Sequence, residues 1–572
     1  MKRKTIFWML IAAVAIPSIF VLPYFFPLAI PVFSPVYTTG GNNRVGAIAA
    51  AVLSVLVTLL CWRFRIYSPP IAEVQTDRER MPQRWLWISM AVTTGSAAVL
   101  GALMVRLHMY YGDAGYFLTQ LRTGLVFHGR LYRDFEFAYG PVLYQWPALF
   151  LRTLGVFHVS AAAAYVVSLC VMEAVGTAML FYTVGAMPLR RNMKIAAFLA
   201  LSILTLDPQE GLNYTAFRFI CSVFTLVLLS RQKNIRTTSL LAAAGALVNF
   251  AISPEMGVAF TGAAVVYSGY RTWKGGLRWL PVALAAVVGS GLFAVLAGAD
   301  YFRTLKEFAN GGYNMLLEPA PHIYYLLIFA VGLAPTVVAA ALASTENSNE
   351  AEAEHGLILG TFIAGLALLP AALGRCDPLH VSYNGWPLFL LGFVAFDRMR
   401  LPARRIWVAV ALLFSVYSVA QEYALNTGGI KQLMGLKPVE SEDADFPRLT
   451  KVIAGHRVSF PWNGTVRLAD QLTAAGEYQP LYLCIAAVDD HAELRTIENM
   501  RRADYVLSPN KLGVVNENKI NNVGMKFRLR FGYHYKQRHQ PHLQGALIAQ
   551  ELHNNWQRVD TFGVYDLYHR ER

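Results

Sequence analysis

The chain has 572 residues, of which 55% are hydrophobic, 13% aromatic and only 15% charged, with a formal net charge of +14 and a mean hydropathy of +0.38. A soluble globular chain carries about 25% charged residues, so an ordinary cytosolic enzyme is excluded and a polytopic membrane protein is indicated. The positive balance does not ask for a nucleic-acid partner, because membrane proteins gather Lys and Arg on their inner loops.

A membrane-crossing helix needs about 20 apolar residues. Met1–Lys4 is a basic head, followed by the apolar run Ile6–Ile30, broken by Pro17, Pro23 and Pro27. The run is too long for a signal-peptide core and no small-residue cleavage site follows, so it reads as a retained first span. Further apolar runs follow at 45–62, 85–107, 158–186, 194–206, 214–230, 237–253, 257–270, 279–298, 323–343, 356–373, 384–397 and 405–421. The sequence thus predicts a polytopic α-helical protein of about 13 spans.

The connections fix an expected orientation. With the N-terminus inside, the inner loops carry Arg63, Arg65, Arg78, Arg80 and Arg84, then Arg190, Arg191 and Lys194, then Arg231, Lys233 and Arg236. Arg271, Lys274 and Arg278 follow, and finally Arg398, Arg400, Arg404 and Arg405. The outer loops 207–213 and 253–256 have neither Lys nor Arg, and 374–383 has only Arg375. This is the positive-inside pattern, and an odd number of spans puts everything after Gln421 outside. The expected organisation is a membrane domain, 1–421, with a large outer loop at 107–157, and an extracytoplasmic α/β domain, 422–572. Within the loop, Gly140–Leu154 reads as an amphipathic interfacial segment. Within the tail, Pro480–Val488 and Tyr505–Leu507 read as strands and Gln540–Trp556 as a helix. The five cysteines, three of them in spans, make no disulfide framework.

Ionisable groups at a membrane rim are costly and tend to be functional. The expected outer rim collects Asp113, Arg133, Asp134, Glu136, Asp207, Glu210, Arg218, Glu255, Glu318, His322, Arg375, Asp377 and His380. Asp113, in YYGDAGYF, follows the third span directly; a carboxylate there suits a general base or a metal ligand, and also a helix N-cap for Ala114–Leu125. In GRCDPLHVSYNG (374–385), a guanidinium, a carboxylate and an imidazole fall within seven residues: Arg375 suits a phosphate, Asp377 can orient it, and His380 can donate to a leaving oxygen. The bland alternative is a Gly- and Pro-punctuated turn with Arg375 and Asp377 paired. Arg218 is either a snorkelling cation or a site residue, and Glu255, in SPEMG, either a helix-start charge or a site carboxylate. No GxxxxGK[ST], HExxH or CxxC pair is present, and no GxSxG stands at a strand-to-helix position, which removes P-loop ATP hydrolysis and the common hydrolase and zinc signatures.

The outer loop GDAGYFLTQLRTGLVFHGRLYRDFEFAYGP (112–141), opening with an Asp straight after a span, together with the late GRCDPLH cluster, resembles GT-C type glycosyltransferases. These include the protein O-mannosyltransferases and the lipid A aminoarabinose transferase. The resemblance runs over roughly residues 85–420. It implies a multi-span inner-membrane enzyme that takes a sugar from a polyprenyl-phosphate donor and passes it, with inversion, to a hydroxyl of a lipid, glycan or protein acceptor on the periplasmic face. It puts the loop-one catalytic carboxylate on Asp113. Ala114 follows, where many protein O-mannosyltransferases have Glu, so that subfamily's acceptor is not carried over. The lipid phosphate would need positive donors, for which Arg375, His380, Arg218 and Arg133 are candidates, with Asp134, Glu255 and Asp377 as further substrate-binding residues. Some relatives use a divalent metal ion and others do not; the sequence leaves that open. Two readings of other classes stand beside it: a transporter or lipid flippase, which would show repeated halves and midplane charges, and a scaffold that only presents the tail.

Overall fold

The computed structural model describes residues 2–26, 32–33, 42–66, 80–107, 112–125, 128–133, 135, 137–207, 211–309, 317, 319–346, 348–425, 446–459, 461, 490–509, 542–543, 546–563 and 565–570. Among the described residues, each apolar run of the sequence contributes the greater part of its described length to a helix. In chain order these are α1 (Lys2–Phe20), α2 (Asn43–Arg63), α3 (Gln83–Leu107), α4 (Gly112–Leu125), α5 (Pro141–Gly155), α6 (Ala161–Ala186), α7 (Arg191–Leu204) and α8 (Ala216–Ser230). They continue with α9 (Ile235–Ile252), α10 (Pro254–Gly275), α11 (Leu280–Ala309), α12 (Pro321–Leu327), α13 (Ala334–Ala343), α14 (Asn349–Arg375), α15 (Pro378–Asp397) and α16 (Leu401–Leu425). α12 and α13 are halves of one span joined by a π-helical stretch, Ile328–Leu333.

Among the described residues, nine helices are long and apolar enough to cross a membrane, and α1 and α8 are shorter apolar helices. The protein is therefore a polytopic α-helical membrane protein. The first run is shorter as a helix than as a hydrophobic stretch: α1 stops at Phe20 and Leu22–Phe25 form a 3-10 turn, with Pro23 at its start. Proline fixes φ and lacks the N–H that would continue the ladder.

Burial within the bundle is uneven. α15 is buried almost throughout, whereas α16 and α11 present most of their apolar surface outward, as lipid-facing helices do when the surrounding solvent is itself apolar. α15 is therefore central, and it is held by side-chain bonds to backbone: Trp386 Nε1 donates to Phe219 O at 2.6 Å, and the Tyr383 hydroxyl lies 2.6 Å from Tyr214 O and 3.0 Å from Thr205 O.

The segment expected to be amphipathic is α5, whose buried residues Leu143, Tyr144, Pro147 and Ala148 fall on one face, as i, i+4 spacing requires. It begins at Gly140, whose N–H donates to Ile252 O at 3.1 Å. A Cβ on Gly140 would meet Ala251 O at 2.3 Å, so only glycine lets this loop touch the end of α9. That end is sharp. Ser253 is extended and Pro254 opens α10, a proline at the first helical position being pre-shaped for it.

In the tail, four strands form a sheet in the order β2 (Val458–Ser459), β3 (Tyr505–Pro509), β6 (Tyr565–Arg570), β5 (Trp556–Phe562). β2 and β3 are parallel and the other two pairs antiparallel. Helices 490–500 and 546–555 cover it through Ile497, Met500, Val506, Ile548, Leu552 and Trp556. The helix expected at Gln540–Trp556 is shorter, Ala546–Asn555: His542–Leu543 before it are taken into a strand, and Trp556 after it starts β5, where its backbone pairs with Arg570 and its ring joins the small core. The strand expected at Pro480–Val488 lies outside the described residues. Val32–Phe33 (β1) pair in parallel with His542–Leu543 (β4), tying the connection after α1 to the tail.

Candidate functional site

The site is organised by the link between α7 and α8. Gly211 has φ +109°, in the left-handed half of backbone space that side chains with a Cβ rarely occupy. A Cβ there would stand 3.0 Å from Ala114 N and from the Tyr165 hydroxyl. That hydroxyl accepts from Leu212 N at 3.2 Å. The turn Leu212–Tyr214 is thereby pressed against the start of α4, and its three residues are buried.

Asp113 lies in the first turn of α4, one step inside the helix that the N-cap reading expected it to precede. A carboxylate there is favoured by the positive end of the helix dipole. Its Oδ2 accepts from the Tyr139 hydroxyl at 2.7 Å and from Asn213 Nδ2, and Asn213 Nδ2 also donates to the Tyr139 oxygen at 2.6 Å. The three groups form a closed triangle. Among the described residues no donor serves Asp113 Oδ1.

Burial first, and then the Asp113 charge, push the Tyr139 hydroxyl well above its ordinary pKa; burial, with the Tyr139 and Asp113 groups behind it, does the same to Tyr214. Both stay protonated, and so stay hydrogen-bond donors, through the physiological range.

Arg218 backs the triangle. Its Nη1 donates to Asn213 O at 3.0 Å, its Nη2 pairs with Glu255 in the first turn of α10, and its guanidinium lies 4.7 Å from the Tyr139 ring centroid. The guanidinium is thus committed to holding Asn213, Tyr139 and Glu255 in place. Since Tyr139 precedes Gly140 and Glu255 follows the α9–α10 break, the glycine contact and the proline turn are what bring these groups together.

The second cluster surrounds the α14–α15 turn. Asp377 caps α15, its Oδ1 accepting from His380 N at 2.8 Å, with Pro378 at the first helical position. The same oxygen lies 2.8 Å from His380 Nδ1, and Oδ2 lies 3.5 Å from Arg375 Nε. Burial would raise the Asp377 carboxyl, but His380 and then Arg375 outweigh it and hold it below the usual carboxylate range. A carboxylate can only accept, so Nδ1 of His380 carries a hydrogen and Nε2 is turned to the Tyr214 hydroxyl, 3.1 Å away. His322 supports the turn from α12, with Nε2 2.9 Å from Cys376 O, and Asn43 from α2 donates to the carbonyls of Leu373 and Gly374 at 2.8 and 2.9 Å.

Two clusters distant in sequence are therefore joined through adjacent residues: Asn213 reaches Asp113, and Tyr214 reaches His380. Of the residues named from sequence, Asp113, Arg218, Glu255, Arg375, Asp377 and His380 enter this assembly, and His322 braces it through Cys376 O. Arg133 is an exposed turn residue outside it. Asp207 is buried at the end of α7, while Asp134, Glu136, Glu210 and Glu318 lie outside the described residues. Tyr139, Asn213 and Tyr214 were not singled out by charge; the signal available was their place, one in the AYGP ending of the 107–157 loop and two in the short link before a span.

Among the described residues no three His, Cys, Asp or Glu side chains gather as a metal ion would require. The groups that meet Asp113 Oδ2 act as hydrogen-bond donors, a phenol and an amide N–H. What the arrangement offers is a fixed carboxylate oxygen on one side of the 212–218 link and a guanidinium–imidazole pair on the other.

No protein-family model matches the sequence, and no curated protein does either. Among solved structures, the chain is similar to the crystal structure of ArnT from Cupriavidus metallidurans bound to undecaprenyl phosphate, with a TM-score of 0.48, 13% sequence identity, and coverage of 85% of this chain and 98% of that one.

Proposed function

We propose that the protein is a membrane glycosyltransferase that moves a hexosyl or pentosyl group from a polyprenyl-phosphate donor to an acceptor hydroxyl. The observation that carries this reading is the joining of Asp113 to the Arg375–Asp377–His380 cluster through Asn213 and Tyr214. The loop resemblance at 112–141 supports it.

In this mechanism Asp113 Oδ1 takes the proton of the acceptor hydroxyl as its oxygen attacks the anomeric carbon. The bond from that carbon to the phosphate oxygen breaks in the same step, so configuration inverts and the electron pair leaves with the lipid phosphate. Arg375 and His380 stabilise that growing negative charge. Arg218 and Glu255 act as positioning residues. Lys and Arg crowd the opposite end of the bundle, which supports assigning that end to the cytoplasm and the site to the outer face. The tail, 422–572, would then be an extracytoplasmic unit that covers the site or selects the acceptor.

The test compares purified full-length protein with its Asp113→Asn variant, using polyprenyl-phosphate sugars and a panel of lipid, glycan and peptide acceptors. Loss of covalent product in the variant is expected. Transfer at near wild-type rate in the variant would remove Asp113 as the base, and transport of labelled lipid without covalent product would replace the transferase reading altogether.

A further inference from the structure

The helices that carry the site at one end open a cavity at the other. α8, α10 and α14 present Arg218, Glu255 and Arg375 at one set of ends. Ser230 at the far end of α8, Arg271 at that of α10 and Asn349 at that of α14 line a cavity of about 980 Å³. At 1.5 Å per residue, about 18 Å of α8, 24 Å of α10 and 39 Å of α14 separate the site residue from the cavity residue on each helix. A cavity of this size is in the range of small-molecule sites.

Its walls are strongly cationic. Arg80, Lys194, Arg231, Lys233, Arg271 and Arg278 line it, against two carboxylates, Glu350 and Glu354. Topology alone accounts for basic residues in watery loops, but not for burying them: Lys194 is only 6% and Arg271 only 4% exposed. Arg271 is also held rigidly. Its guanidinium stacks 3.9 Å from the Trp279 ring centroid, its Nη1 donates to the Tyr267 hydroxyl at 3.2 Å, and its Nε lies 3.4 Å from a Glu352 carboxylate oxygen.

Trp279 supplies an independent observation. It is 5% exposed and lines the cavity, and its indole N–H has no hydrogen-bond partner among the described residues. A buried donor left unmade is destabilising, and an indole N–H can be satisfied only by an acceptor. The exposed cations Lys233 and Arg278 stand at the cavity mouth. We infer that this cavity binds a phosphate-bearing anion, either the headgroup of an anionic lipid or a soluble phosphate, with the Trp279 N–H and the Lys233 and Arg278 charges as its donors. The inference is independent of the transferase reading, since no residue is shared.

The test uses full-length protein in two arms. In neutral phosphatidylcholine nanodiscs, inorganic phosphate is titrated by calorimetry. In mixed phosphatidylcholine and phosphatidylglycerol nanodiscs, retained anionic lipid is counted by native mass spectrometry. Saturable binding is expected in at least one arm, weakened about tenfold by the double change Lys233→Ser with Arg278→Ser, as loss of charge-assisted bonds implies. It should also be weakened by Trp279→Phe, which keeps the ring under Arg271 and removes only the N–H. Signal in the first arm alone identifies a soluble phosphate and in the second alone a lipid headgroup. Absence of saturable binding in both arms, or equal binding by wild type and the double variant, overturns the inference. The double variant changes exposed residues only, so it decides the matter even if Trp279→Phe fails to fold.

Discussion

Asn213 donates its side-chain amide to the carboxylate of Asp113, a residue 100 positions earlier in the chain. The bond makes a neutral residue in a short link the fixed reference for a charged one at the start of a distant helix. If Asp113 is the base, its aim depends on that amide and on the Tyr139 hydroxyl. Asn213→Ala and Tyr139→Phe should each lower kcat about 10- to 100-fold with KM little changed, the size expected when a reacting group is misplaced by about an ångström. Initial rates over a range of acceptor concentration check this, and a pure KM effect would move both residues into substrate binding.

Arg218, which is buried, pairs with the partly buried Glu255 behind the triangle. Removing one partner strands the other charge. Glu255→Gln should therefore destabilise the protein by about 3 to 5 kcal/mol, seen as a lower melting temperature in detergent. The double change Arg218→Met with Glu255→Leu should lose less than the two single changes added together. A simple sum would mean that the residues act separately.

The depressed Asp377 carboxyl makes a pH prediction with a definite sign. Its folded pKa lies below the unfolded value because His380 and Arg375 outweigh burial. The stabilisation is therefore full above the ordinary carboxylate pKa of about 4 and is lost as pH falls through the lower folded value. Melting temperatures of wild type and Asp377→Asn should differ most near neutrality and converge in acid. A gap that is constant with pH would exclude this origin.

Gly211→Ala places a Cβ on a residue with φ +109° and within 3.0 Å of Ala114 N. The strain should cost about 1 to 3 kcal/mol. Because Leu212–Tyr214 follow immediately, activity should fall along with stability. Full activity at a temperature where the variant is folded would show that the link tolerates a different path.

The spans were legible because length and apolarity are properties of a single stretch of chain. α10 was under-read as 257–270 because Glu255 and the Lys and Arg of its last turns interrupt the apolar run, although Pro254 marked its start. Asp113 and the 374–385 cluster were legible as charge at a rim. Asn213, Tyr214 and Tyr139 were not, since they carry no charge and their importance lies in contacts across 26 to 169 residues. Arg218 had two open readings in sequence, and only its bonds to Glu255 and Asn213 show where the guanidinium is spent. The tail misled for another reason. A run from Gln540 to Trp556 is compatible with one helix, and it is the pairing of Trp556 with Arg570 that ends it.

The triangle around Asp113 also sets an order in time. Asp113 emerges from synthesis 26 residues before Tyr139 and 100 before Asn213. At about 5 to 20 residues per second, the carboxylate waits roughly 5 to 20 s for its second donor. During that interval the carboxylate has at most one of its two protein donors, and the triangle can close only after the link between α7 and α8 has been made. The native position of Asp113 is thus a late event in assembly, although it is the first of the site residues to be made.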